Sequence, residues 1–94
     1  MIYSKATKYI VKEEKLKGFV DYLYVFVKRA RMETQNLSFE YGLNLSKEII
    51  VLERWSSQKD SDFFEKKEEI KKELDTLSKM ATKTEILYSL DTIR

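Results

Sequence analysis

The apolar pattern predicts an α+β protein with the element order βαββαβ. Two observations carry this. Two segments repeat their apolar residues every three or four positions, as helices do, and four shorter segments alternate them, as half-buried strands do. A third observation fixes the scale: 94 residues with no proline and only Gly18 and Gly42 leave no linker, so residues 1–94 are read as one domain.

Ile2 to Ile10 is the first strand. Ile2, Ala6 and Ile10 share one parity and Tyr3, Thr7 and Tyr9 the other, with many β-branched and aromatic residues. Leu16, Phe19, Val20, Leu23, Val27 and Ala30 then form the stripe of an amphipathic helix over Glu13 to Arg31. Leu37, Phe39, Tyr41 and Leu43 alternate with Asn36, Ser38, Glu40 and Gly42, the period of a strand with one buried face. Asn44 to Lys47 supplies turn formers, and Glu48 to Trp55 returns as a more continuously apolar strand, so the two pair as a hairpin. Ser57 followed by Asp60 resembles a capping box and opens a second helix reaching Lys79, with Phe63, Ile70, Leu74, Leu77 and Met80 as its stripe. Thr82 to Leu90 closes as a strand with Ile86, Tyr88 and Leu90 on one parity.

In a domain of this size that order is the ferredoxin-like split βαβ arrangement, an antiparallel sheet with both helices on one face. The other face is not convincingly polar. Glu48 to Trp55 is apolar on both parities, Ile49 and Val51 against Ile50 and Leu52, and Tyr3 and Tyr9 are expected to add to the side away from the helices. A second subunit is expected to cover that side, making a homodimer through the sheet face.

Composition removes whole classes of chemistry. Without cysteine or histidine there is no disulfide, no thiol nucleophile, no Cys or His metal site and no imidazole acid–base catalysis. Eighteen Lys and Arg are interspersed with 16 Asp and Glu, giving a net charge of +2 without a basic block, a poor footprint for nucleic acid or an anionic membrane. The strand Glu48 to Trp55 also lacks the Lys/Arg-Gly-aromatic core of an RNA recognition motif. No apolar run approaches a signal peptide or a membrane span, so a cytoplasmic location is expected.

Arg31-Met-Glu33, the strand Leu37-Ser-Phe39 and Glu53-Arg-Trp55 follow one another at a spacing that resembles the antibiotic biosynthesis monooxygenase domain. The resemblance implies a dimeric α+β barrel with a pocket between sheet and helices. Some members oxidise polyketides or quinols with dioxygen, without flavin or metal; others degrade haem or rearrange small metabolites. Trp55 matches the tryptophan that lines the pocket of the polyketide-oxidising type. Val51 and Ser61 stand where that type has an asparagine and a tyrosine, and Phe64 stands nearest the histidine that many quinol-oxidising members carry. The implied activity is a cofactor-independent monooxygenase acting on a small aromatic or quinol, without bound metal. The alternative is a non-catalytic ligand-binding or dimerisation module of the same fold.

The residues themselves offer few groups for such chemistry, which needs a base, an apolar pocket and stabilisation of an oxyanion. Glu53 would become a base if burial raised its pKa. Arg54 and Arg31 are candidates to steady an anion, although residues 53 and 54 face opposite sides of a strand and cannot share a pocket. Glu53 and Trp55 are therefore the candidate catalytic pair, and Tyr41, Val51, Phe64 and Phe39 the candidate substrate contacts. The run Glu65 to Glu69 with Lys71 to Glu73 reads as a solvated helix face without function.

Overall fold

A computed structural model describes residues 1–93; Arg94, the last residue of the expected domain, lies outside the described residues. The elements are β1 (Tyr3–Ile10), α1 (Glu13–Ala30), β2 (Asn36–Leu43), β3 (Ile49–Trp55), α2 (Gln58–Glu65), α3 (Glu68–Met80) and β4 (Lys83–Asp91). The four strands form one sheet in the order β2-β3-β1-β4, with every neighbouring pair antiparallel. This is the ferredoxin-like arrangement. Among the described residues no helix is long and apolar enough to cross a membrane.

Alternation along β1 and β3 sorts side chains between two faces. Tyr3, Tyr9, Ile49, Val51 and Trp55 join Phe19, Leu23, Phe26, Val27, Phe64, Ile70 and Leu77 of the helices in one core. Tyr9 packs on Phe19 at 5.1 Å between ring centres, and Phe39, Trp55, Phe64 and Phe26 form a chain of tilted and edge-on contacts. Burying each large apolar side chain stabilises the fold by about 1.5–3 kcal/mol. Tyr3 and Tyr9 thus face the helices, not the open side expected for them. That parity also holds Thr7, and one strand face cannot serve both sides.

The open face is apolar through other residues. Ala6 lies between Leu52 on β3 and Tyr88 on β4, with Ile50 and Leu90 alongside. Leu52, Tyr88 and Leu90 are 41%, 43% and 45% exposed, an apolar strip across the middle of the sheet.

Two irregularities separate the fold from strict periodicity. The pairing of β1 with β4 shifts between Ala6 and Thr7, so Ile86 pairs with Thr7 on the helix side while Tyr88 pairs with Ala6 on the open side. A bulge inserts one residue and thereby splits Ile86 from Tyr88 and Leu90, which the sequence pattern had grouped. A similar shift near Asn36 and Ser38 leaves Leu37 exposed, so Phe39 and the half-buried Tyr41 carry the inward face of β2 while Leu43 ends it in the open.

The second helical segment is also broken rather than continuous. Ser57 caps α2 as expected, its hydroxyl accepting from the Asp60 N–H at 3.2 Å, but the helix stops at Lys66 and Lys67 is extended before α3 begins. In an unbroken helix Phe64 and Ile70, six residues apart, would point about 120° apart. The break resets the phase, so both are buried. Phe63 is left 68% exposed with the Lys67 ammonium 5.9 Å from its ring, and Phe64 takes the inward place expected for it. Lys67 also pairs with Glu33 at 3.0 Å, which ties the break to the end of α1.

The hairpin turn is built on Asn44. Its side-chain oxygen accepts from the N–H groups of Ser46 and Glu48, and Lys47 adopts φ 60°, the left-handed conformation that closes the loop.

Candidate functional site

Between the helix-facing side of the sheet and the helices lies a cavity of about 170 Å³. Leu23 and Phe26 of α1, Phe39 of β2, Val51 of β3, Leu74 and Leu77 of α3 and Ile86 of β4 make its apolar walls. Its polar lining comprises the cluster Lys5, Thr7, Tyr9, Glu53 and Glu65, with Ser78 and Thr84 beside it. An apolar pocket with a few converging polar groups is where a small ligand is expected to bind. A larger groove of about 470 Å³ between the start of α1 and the hairpin turn has no buried titratable group.

Each polar group arrives by a distinct structural route. Lys5 and Glu53 are direct partners in the β1–β3 register, so they share the helix face of the sheet. Glu65 reaches the same place from the last turn of α2, and the Lys5 ammonium binds its carboxylate at 2.5 Å. This corrects the reading of Glu65 as part of a solvated face. Glu53 accepts a hydrogen bond from the Trp55 indole N–H at 2.9 Å, and Trp55 is in turn fixed against Phe64 at 4.9 Å.

Burial sets the electrostatics. Glu53 is held above the ordinary carboxylate range mainly by loss of water, reinforced by Glu65 and opposed by Lys5 and the Trp55 hydrogen bond. Burial works to lower Lys5, but the charges of Glu53 and Glu65 and the bond to Glu65 together outweigh it and leave its pKa raised. Tyr9 is pushed up to about 12, by burial first and then by the Glu53 charge. The cluster thus contains a firmly protonated amine, a neutral phenol and a carboxylate that readily takes a proton.

The six residues singled out from sequence fall into two groups. Glu53, Val51 and Phe39 line the cavity. Trp55 and Phe64 stand behind it in the aromatic core, where Trp55 reaches the site only through its hydrogen bond to Glu53. Tyr41 is half-buried at the core's edge, beside Val51 in the β2–β3 register, and is not part of the lining. Arg31 donates to the Phe39 carbonyl at 2.8 Å and Glu33 pairs with Lys67, so both brace the end of α1. Arg54 is exposed, on the opposite side of β3 from Glu53.

Lys5, Tyr9 and Glu65 were not among the sequence candidates. Lys5 left a readable signal, a charge on the same parity as Tyr3, Thr7 and Tyr9. Glu65 left none, because its partner lies 60 residues away.

No family model matches the sequence, and no curated protein does. Solved structures do match it across nearly its whole length. A conserved protein from Methanosarcina mazei Go1 superposes with a TM-score of 0.89 at 20% identity, over 98% of this chain and 93% of that one. An antibiotic biosynthesis monooxygenase superposes with a TM-score of 0.85 at 12% identity over the whole of both chains. A candidate antibiotic biosynthesis monooxygenase from Deinococcus radiodurans gives 0.86 at 16% identity, over 100% of this chain and 94% of that one. The chain therefore has the ferredoxin-like fold of the antibiotic biosynthesis monooxygenase structures.

Proposed function

We propose that this protein is a cofactor-independent monooxygenase of a small aromatic or quinol, with Glu53 as its base. The observation that carries the reading is a buried carboxylate with a raised pKa on the polar side of a cavity whose other walls are apolar. A carboxylate whose pKa is raised is a stronger base than a solvated one and is the better acceptor of a substrate proton. The fold shared with the monooxygenase structures supports the same reading.

The chemistry begins with transfer of a phenolic proton to Glu53. The anion left behind is electron-rich enough to reduce dioxygen. For a hydroquinone the overall reaction gives a hydroxyquinone and one water, with one oxygen atom retained and the other released. Trp55 orients the Glu53 carboxylate, while Phe39 and Val51 supply apolar walls to the substrate. Phe64 holds Trp55 in place at 4.9 Å, and Tyr41, outside the lining, packs at the edge of the core on β2.

In this reading residues 1–94 form one cytoplasmic domain, and two copies pair through the apolar strip of the open sheet face. Oxygen uptake is the test. Purified protein with metals chelated, supplied with a panel of hydroquinones, is expected to consume oxygen saturably above the autoxidation rate. Uptake at the enzyme-free rate across the panel would overturn the reading. It would favour a non-catalytic ligand-binding module, which the apolar Val51 and Phe64 at the family's polar positions also suit.

A further inference from the structure

The catalytic reading uses Glu53 and leaves Lys5 unexplained. Lys5 is a cation on the cavity wall, set beside Glu53 by strand register and bound to Glu65 at 2.5 Å. Its side chain is 13% exposed. A lysine used only to tie α2 to the sheet needs one carboxylate; this one is provided with two, on different elements.

We propose that Lys5 is the anion-binding residue of the site, and that the ligand is a single-ring phenol bound as its phenolate between Lys5 and Glu53. This rests on the reading of Glu53 as the proton acceptor. Size sets the ring count: the cavity's about 170 Å³ is close to the roughly 150 Å³ of an apolar cavity that takes benzene. A single ring is therefore the aromatic ligand that this volume matches.

Charge balance selects the phenolate. With the site empty, one cation, Lys5, faces two anions, Glu53 and Glu65. When a neutral phenol enters, its O–H bond breaks, the proton joins a Glu53 carboxylate oxygen and the electron pair stays on the phenolic oxygen. One cation again faces two anions, Glu65 and the phenolate. No net charge is created in a low-dielectric cavity, so the main electrostatic penalty of ionising a buried phenol is avoided. The other ionisable groups facing Lys5 are the phenols of Tyr3 and Tyr9. Burial pushes Tyr9 up to about 12, so it is neutral where the probe is mostly neutral and does not compete as an anion.

4-Nitrophenol tests this directly, because its phenolate absorbs visible light and its phenol does not. At a pH where the free probe is mostly neutral, the protein is expected to produce the phenolate band saturably. Lys5→Gln is expected to lower the bound phenolate fraction about tenfold or more, since a neighbouring opposite charge shifts a pKa by about 1–3 units. Glu65→Gln separates ligand binding from structure. It removes the competing anion and is expected to strengthen the band, whereas a purely structural Lys5–Glu65 tie predicts the same loss from both variants. Circular dichroism and the melting temperature identify a variant that fails to fold, and Lys5→Arg, which keeps the charge, is expected to restore the band. No saturable band with the wild type, or equal loss in Lys5→Gln and Glu65→Gln, would overturn the proposal. A band that forms without excess oxygen uptake on the hydroquinone panel supports this ligand mode and rejects the oxygenase reading alone.

Discussion

The indole N–H of Trp55 donates a 2.9 Å hydrogen bond to the carboxylate of Glu53, two residues earlier on the same strand. Residues two apart share a strand face, so the bond is a local consequence of β structure. Its effect is not local. The donor favours the charged carboxylate and partly offsets the burial that raises the Glu53 pKa.

Trp55→Phe removes that donor while keeping an aromatic ring in the core. The Glu53 pKa is expected to rise further, moving the acidic limb of any pH–rate profile to higher pH. A limb that stays in place would show that the hydrogen bond does not tune Glu53. The cost in stability, read by urea denaturation, is expected to be about 1–3 kcal/mol from the lost volume and bond.

Glu53→Gln tests the carboxylate in two ways. Turnover is expected to fall about 10²-fold or more, the usual scale for losing a general base. Stability follows the sign of the shift. A carboxyl whose folded pKa is raised favours the folded state only while protonated, so its contribution is present below the ordinary value of 4.5 and lost as pH rises through the folded value. The wild type should therefore lose stability relative to Glu53→Gln as pH climbs through that window. A difference independent of pH would refute the shift.

Phe63 and Phe64 are adjacent, but the break after α2 gives them opposite fates. Phe64→Ala is expected to cost about 3–5 kcal/mol, as for other buried phenylalanines. Phe63→Ala on the exposed side should stay within about 0.5 kcal/mol. Chemical denaturation of both variants checks the break, since a continuous helix with Phe63 in its stripe predicts the reverse order.

Leu52→Lys places a charge in the middle of the apolar strip on the open sheet face. Sedimentation is expected to find a dimer for the wild type and a monomer for the variant, with the secondary structure unchanged. A monomeric wild type, or a variant that remains dimeric, would remove the sheet face as the interface.

The sequence by itself determined the four strands, the first helix and a helical segment before the last strand, in that order, because strand and helix periodicities are properties of neighbouring residues. It determined the Ser57 cap and the Asn44 turn for the same reason, since each satisfies backbone groups within four residues. It also determined that Glu53 and Trp55 share a face and Arg54 does not. Tertiary structure decided what alternation leaves open. It chose which parity of β1 meets the helices, sending Tyr3 and Tyr9 inward and leaving Ala6 on the open side. The bulge between Ala6 and Thr7 and the break at Lys67 shift side-chain phase by a residue or two, and packing alone rewards those shifts by burying Ile70 with Phe64. The meeting of Lys5, Glu53 and Glu65 likewise exists only once β1, β3 and α2 are assembled, because strand register and helix docking bring together charges that lie far apart along the chain.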